Sequence, residues 1–423
     1  MSNVNKLADA KPRLTVVPST QWPEMRDGKP RNRSQANIIH LLDLEGVELR
    51  YNAFTLRDEI SRNGTTADLS DADVRALYLA AHSRGLDAPK PFFEDVISHH
   101  ARAKSYHPVR EYLDGLKWDG EQRLDTWLTT FAGAEDTMLT RAIGAKILLA
   151  AVRRIRKPGC KFDQCLVLEG PQNAGKSSLV RILASEAHFT DCLHIGAEPK
   201  VIIEQTAGKW LAEMAELSGI RRVEVEPIKA MISRQEDRAR LSYDKRAVAV
   251  PRQFVLFGTV NDQTYLRDTT GNRRFWPVKV GQMDLAGLEA ARDQLWAEAA
   301  YRDDMAESIE LSAELWSDAA AEQSKRMITD PWAEHLEPAL DGKTGHVSID
   351  DVWAFLGIKA ERQDANIGHR LTGILHRLGF EKSRRRKSGK LVYCYSNNTT
   401  GTWFALGERP GTGGTLGTPL GTD

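Results

Sequence analysis

The chain has 423 residues, more than one ordinary core holds, so two or three domains are expected. Hydrophobic residues make up 41% and charged residues 27%, the balance of a globular protein in water, and no apolar run approaches the roughly 20 residues of a membrane span. Lysine plus arginine equals aspartate plus glutamate, 58 of each, so net charge alone points to no nucleic-acid or membrane partner.

The start, MSNVNKLADAKPRL, lacks the apolar core of a secretory signal, and a cytoplasmic protein is expected. Cys160, Cys165, Cys192 and Cys394 form no C-x-x-C pair and have no histidine at zinc spacing, so they read as buried small hydrophobes. Residues 1–33 are polar and proline-punctuated and 406–423 are rich in Gly and Thr; neither end carries enough apolar surface to fold.

Between the ends, residues 34–91 read as a small α+β region. GVELRYNAFTLRDEI (46–60) alternates like a strand, and LSDADVRALYLAAHSRG (69–85) reads as a helix with Ser70 as cap, Asp73 completing a capping box and Gly85 as the stop. From 92 to 157 the pattern is helical, through HPVREYLDGL, EQRLDTWLTTF and TMLTRAIGAKILLAAVRRIR, until Pro158-Gly159. The period then changes. DQCLVLEG is a short buried strand, a helix follows, and further strand-like runs such as RQFVLFGTV indicate an α/β domain over 158–330. Residues 331–405 read as helix (VSIDDVWAFLG), helix (NIGHRLTGILHRLGF) and a basic hairpin, the order of a winged-helix module. Six of the nine residues in KSRRRKSGK (382–390) are basic and none is acidic.

The strongest chemical signal is EGPQNAGKSSLVRILA, where Gly170, Gly175, Lys176 and Ser177 fit G-x-x-x-x-G-K-[ST] between an apolar strand and an amphipathic helix. Glycines let successive N–H groups turn inward around phosphates, and the helix N-terminus adds its positive end. Lys176 then meets the outer phosphates and Ser177 holds magnesium, with Asn173 and Ser178 completing the nucleotide contacts. ATP and Mg2+ are therefore the expected ligands.

Hydrolysis also needs an acid beside the metal and water, and GKWLAEMAEL offers Glu213 and Glu216. Their three-residue spacing places them on opposite sides of a strand, so at most one lies on the strand itself. Glu213 is expected near magnesium and Glu216 near the attacking water. FVLFGTVND ends in Thr259, Asn261 and Asp262, and an amide there could hold water or the last phosphate. TGNRRFWPV places Arg273 and Arg274 on a turn before an apolar strand.

As an ordered set, the phosphate loop, W-x-x-E, a basic stretch, strand-T-x-N and NRRFWPV resemble the ATPase core of superfamily 3 helicases. They resemble more closely the virulence-associated protein E family of phages and genomic islands. NAFTLRDEI, YHPVREYLDGLKWDGEQRLDTWL and RKPGCKFDQCLVLEG extend the resemblance over about residues 37–301.

The resemblance implies an AAA+-like P-loop NTPase core of superfamily 3 type, with an N-terminal helical domain and a C-terminal winged-helix-like module. It implies a DNA helicase or translocase, a hexameric ring around single-stranded DNA, with residues 92–157 as a helical collar and Arg273, with Arg274, as a finger on a neighbour's ATP. DRARLSYDKRAV occupies the pore-hairpin position, making Arg240, Tyr243, Lys245 and Arg246 candidate DNA contacts. In the C-terminal module His369, Arg370 and His376 lie on the recognition helix, and Arg384, Arg385 and Arg386 lie on the wing; both suit duplex origin DNA.

The sequence departs from the superfamily in two ways. The two acids are not adjacent, which leaves the general base open, and no primase domain is evident in the first 150 residues, so a separate primase is a candidate partner. An origin-binding initiator that uses ATP as a switch without unwinding is the alternative.

Overall fold

The structure is a computed structural model that describes residues 21–194, 196–215, 225–240, 246–261, 265–266, 271–327, 330–398 and 401–407. It divides into a unit ending at Arg326 and a unit beginning at Met327.

The first unit starts earlier than the sequence suggests. Residues 21–33, expected to be unstructured, include a short hairpin of β1 (Met25–Arg26) and β2 (Lys29–Pro30), and Trp22 is buried against α1 (Gln35–Leu44) and its neighbours. One large indole provides the apolar surface that the polar composition conceals. The strand expected over 46–60 is a hairpin, β3 (Val47–Asn52) with β4 (Arg57–Arg62). The Asn52 side-chain carbonyl accepts from the backbone N–H groups of Phe54 and Thr55, and Leu56 takes a φ of +61°, so the chain reverses where alternation alone sees continuity.

After β5 (Thr65–Asp68) comes α2 (Asp71–Ser83), which has the capping box expected from Ser70 and Asp73. α3 (Lys90–Ala103) lays Phe93, Val96 and Ile97 on this sheet, and β6 (Ser105–Tyr106) completes the strand order β5-β4-β3-β6.

Residues 92–157, expected as a helical collar, are shared between two cores. α3 belongs to the N-terminal one. α4 (Pro108–Gly115), α5 (Trp127–Ala132) and α6 (Met138–Arg156) belong to a second, larger core built on a parallel sheet. α6 is buried along much of its length, and Gly144 lets Trp127 approach closely enough for its indole N–H to donate to the Gly144 carbonyl at 2.9 Å. A Cβ at Gly144 would lie 2.9 Å from that nitrogen.

The second core follows in chain order as β7 (Cys165–Glu169), α7 (Lys176–Ala184), β8 (Phe189–Thr190), α8 (Pro199–Thr206) and β9 (Leu211–Met214). It continues with α9 (Val225–Ser233), the antiparallel pair β10 (Glu236–Ala239) and β11 (Val248–Pro251), β12 (Val255–Val260) and β13 (Phe275–Lys279). α10 (Leu285–Asp304) and α11 (Trp316–Lys325) close the unit.

Among the described residues, five strands pair in the order β13-β7-β12-β9-β8, all parallel. Burial of the central strands on both faces explains why CLVLE and VLFGTV read as unbroken apolar runs. Trp210 and Trp296 stack in this core at 4.0 Å, each indole N–H donating to a buried carbonyl, Ala151 and Leu183 respectively.

The second unit runs α12 (Pro331–Leu340), β14 (His346–Ser348), α13 (Ile349–Leu356), α14 (Ala365–Arg377), β15 (Glu381–Lys387) and β16 (Lys390–Ser396). Its strands pair antiparallel in the order β14-β16-β15 around a core that includes Leu336, Trp353, Leu371, Leu375 and Tyr395. Ser388 and Gly389, both with positive φ, make the two-residue turn between the last strands. Cys165 and Cys394 are buried as expected, Cys160 is half-buried, and Cys192 is exposed because it lies just past the short strand β8. Among the described residues no helix is long and apolar enough to cross a membrane.

Candidate functional site

The strand order creates the site. From β7 the chain crosses to the far edge at β8, returns through β9 to β12 beside β7, and then reaches β13 on β7's other side. The crevice outside the carboxyl ends of such strands is where open parallel sheets bind ligands. Three features meet there: the loop after β7, Glu213 on β9, and Thr259 and Asn261 at the end of β12.

The loop from Gly170 to Gly175 links β7 to α7. Gly170 passes Val280 so closely that a Cβ would lie 2.9 Å from its Cγ2. Asn173 and Gly175 take φ of +63° and +93°, which lets the backbone turn sharply into α7. The first-turn N–H groups of α7, on Lys176, Ser177 and Ser178, have no partner within the helix by the geometry of any helix start.

The Lys176 ammonium donates to the carbonyls of Gly170 and Pro171, both at 2.7 Å, and to Asn261 Oδ1 at 3.1 Å. Its pKa is lowered because burial disfavours the charge, against an opposing pull from Glu213. Ser177 Oγ donates to Glu213 Oε1 at 2.7 Å, and the Thr259 hydroxyl donates to the same oxygen at 2.6 Å. Glu213 is 1% exposed, and its other oxygen, Oε2, is buried with no hydrogen-bond partner among the described residues. A buried carboxylate oxygen left unpaired is costly and is the kind of atom a cation would satisfy. Thr259 is the contact the sequence showed only as a polar strand end; it fixes the Glu213 carboxylate from the intervening strand. Glu216 lies outside the described residues, as does Asp262.

Arg273 and Arg274 lie on a single turn before β13, at the end of the sheet opposite the loop. β13 runs parallel to β7 with Phe275 level with Cys165 and Lys279 level with Glu169. Four residues of strand, roughly 13 Å at 3.3 Å per residue, therefore separate the arginines from the level at which the loop begins. That exceeds an arginine side chain, and Arg273 does not reach the loop of its own chain.

The two arginines also differ. Arg274 is 19% exposed and tied down, its Nε donating to Ser233 Oγ at 2.8 Å and its Nη1 to the Gly271 carbonyl at 3.3 Å. Arg273 is 74% exposed, with Asp163 Oδ2 at 3.8 Å.

The remaining candidates lie elsewhere. Arg240 and Arg246 flank the connection between the antiparallel strands β10 and β11, and both are exposed; Tyr243 and Lys245 lie outside the described residues. On the C-terminal hairpin Arg384 and Arg386 alternate with Arg385, which faces the other side. Arg384 stacks over Tyr393 at 4.1 Å, beside an exposed Leu391. On α14, His369 and His376 are exposed. Arg370 is engaged within its own unit, in a fork with Asp330 at 2.7 and 2.8 Å and over the Trp332 ring at 4.1 Å.

No curated protein matches the chain. Among solved structures, two apo forms of the C-terminal region of NrS-1 are similar: one at 10% identity and a TM-score of 0.44, the other, the A form, at 12% and 0.48. Each comparison covers 85% of this chain and 98% of the other. A family match spans residues 113–328, more than half of the chain and the whole stretch from α5 through β13, and the protein is a member of the virulence-associated protein E-like domain family.

Proposed function

We propose that the protein is an ATP-hydrolysing, ring-forming DNA helicase or translocase of superfamily 3 type that serves phage or mobile-element replication. The observation that carries this reading is the convergence of Lys176, Ser177, Glu213 and Asn261 around a glycine-bearing loop at a helix start, with Glu213 Oε2 left unpaired among the described residues. Family membership supports the mobile-element setting.

In this reading Lys176 exchanges the carbonyls of Gly170 and Pro171 for phosphate oxygens, and the α7 N–H groups with Asn173 and Ser178 cradle the chain of phosphates. Ser177 and Glu213 would hold magnesium. The donor set fits, since Mg2+ keeps most of its water shell and takes only one or two protein ligands besides phosphate. When bound, the ion would offset charge on the phosphates. Thr259 keeps the Glu213 carboxylate turned toward Ser177. Asn261, which accepts from Lys176, would orient water or the last phosphate. Glu213 or Glu216 serves as the general base.

Glu213→Gln tests the assignment. The variant is expected to retain ATP binding and to lose hydrolysis, since the amide keeps size and hydrogen bonding but not charge. Paired nucleotide-binding and phosphate-release assays decide the matter; if Glu213→Gln turns over normally and Glu216→Gln is inactive, the acid roles are reversed.

Arg240, Tyr243, Lys245 and Arg246, at or near the β10–β11 connection, would track single-stranded DNA, and the C-terminal hairpin would grip duplex phosphates through Arg384, Arg385 and Arg386. Phosphate contacts carry no base information. Arg246→Ala is therefore expected to weaken single-stranded DNA binding about equally across sequences, and to flatten the dependence of log affinity on log salt by about 0.7 for each phosphate no longer neutralised. Arg384→Ala with Arg386→Ala should do the same for duplex DNA, by about 0.9 for each phosphate. Titrations at several salt concentrations measure both, and unchanged slopes would reduce these residues to solvated surface.

The basic C-terminal hairpin also favours a second reading, an origin-binding initiator that uses ATP as a switch. DNA-stimulated hydrolysis together with strand separation supports the motor; site-specific duplex binding without unwinding supports the switch.

A further inference from the structure

Glu169 is the last residue of β7, directly before Gly170, and its carboxylate is 2% exposed. Arg326, at the end of the first unit, grips it as a fork, with Nε to Oε1 and Nη2 to Oε2 both at 2.8 Å. The Tyr265 hydroxyl donates to Oε1 at 2.9 Å. Arg326 also reaches back through its main chain, its carbonyl accepting from the N–H groups of Tyr265 at 3.1 Å and Leu266 at 3.0 Å. Those residues follow Asn261 by four and five positions. Glu322 completes the set, its carbonyl accepting from Arg326 Nη1 at 2.9 Å and its carboxylate engaging the same nitrogen. Burial opposes the charge on Arg326, but the two carboxylates outweigh it and its pKa is raised; burial and the Glu169 charge together raise the Tyr265 pKa. Both side chains of the fork are buried.

One residue therefore holds both walls of the candidate site: the strand end that launches the loop, and the segment beyond the strand that carries Asn261. Stability alone is a weak reason for such a pair, because replacing a buried ion pair with apolar side chains is often neutral or stabilising. The entry of the loop has a second tether, the Lys176 ammonium on the carbonyls of Gly170 and Pro171. Phosphate capture must release that tether, because Lys176 has three N–H groups and all three are engaged.

We infer that the Glu169–Arg326 fork, braced by Tyr265, holds the loop entry in register once Lys176 has turned to phosphate. This makes Arg326 a positioning residue for nucleotide binding, and it rests on the reading of the loop as a phosphate site. The fork acts mainly in the nucleotide-bound state. Its loss should cost affinity for ATP beyond whatever it costs the fold.

The test uses the full chain, MgATP as probe, and three variants: Arg326→Met, the double variant Glu169→Gln with Arg326→Met, and Tyr265→Phe. Arg326→Met leaves a buried carboxylate uncompensated and should melt earlier than wild type. The double variant removes the unpaired buried charge and should recover most of the ligand-free melting temperature lost in Arg326→Met, yet bind MgATP about tenfold more weakly than wild type and lose most of the melting shift that MgATP induces. Tyr265→Phe, which removes one brace, should melt somewhat earlier than wild type, less so than Arg326→Met, and show a smaller loss of affinity. If the double variant regains wild-type affinity and melting shift along with stability, the pair is structural and the inference is overturned. The same holds if Arg326→Met or Tyr265→Phe binds MgATP as wild type does. Wild-type protein that binds no MgATP would overturn the phosphate site itself, a separate outcome visible before any variant is compared.

Discussion

Lys176→Ala protein is expected to fold and to hydrolyse ATP at least about 10² to 10³ times more slowly than wild type, the loss typical of removing one preorganised donor from developing charge. The side chain sits at the site's centre, donating to Gly170 and Pro171 on one side and to Asn261 on the other. Its charged end lies among loop carbonyls and Asn261 at the carboxyl end of the sheet's strands, where its contacts are polar. Alanine is also a better helix former than lysine at the start of α7. Circular dichroism melting should therefore stay close to wild type while phosphate release collapses. Wild-type turnover in this variant would remove the phosphate-loop reading and, with it, every role assigned to Glu213 and Asn261. A collapse of melting would show that Lys176 is structural and leave Glu213→Gln as the test of hydrolysis.

The loop was legible because everything it needs is local. Four residues at fixed spacing, a buried strand before and an amphipathic helix after are all visible within about twenty positions of sequence. The capping box at Ser70 and Asp73 was legible for the same reason. Partners brought in by topology were not. Thr259 meets Glu213 only because β12 lies beside β9, and Ser233 meets Arg274 only because the end of α9 folds back to the turn before β13. The fork of Arg326 on Glu169 spans 157 positions, and nothing in either segment marks it. Composition misled at Trp22, where one aromatic side chain orders a polar stretch, and alternation misled at Leu56, where a reversal in left-handed backbone leaves the apolar pattern unbroken. Helical periodicity over 92–157 identified helices but not the two cores that divide them, because an amphipathic face does not name the surface it covers.

The turn before β13 gives the second large effect. Arg273→Ala is expected to lower ATPase activity by roughly 10³ to 10⁵, the value of an arginine supplied to the transferring phosphate. The two arginines differ in the structure: Arg274 is spent on Ser233 and Gly271, whereas Arg273 is 74% exposed. Position then argues for action between chains. Arg273 stands at the amino end of β13, level with the start of β7, and the loop lies beyond the opposite end. In the proposed ring a guanidinium held there would not meet phosphate in its own chain; it would leave Asp163 and enter a neighbour's site, where its planar fork can hold two oxygens as charge shifts. Mixing tests this. Arg273→Ala and Lys176→Ala proteins, each inactive alone, should regain part of the wild-type activity together, because some interfaces in mixed rings join an intact loop to an intact finger. Arg274→Ala, by contrast, should lower the melting temperature through loss of its tether to Ser233. If subunits are seen to exchange and no activity returns, Arg273 serves something other than a neighbour's phosphate, and the ring loses its strongest structural argument.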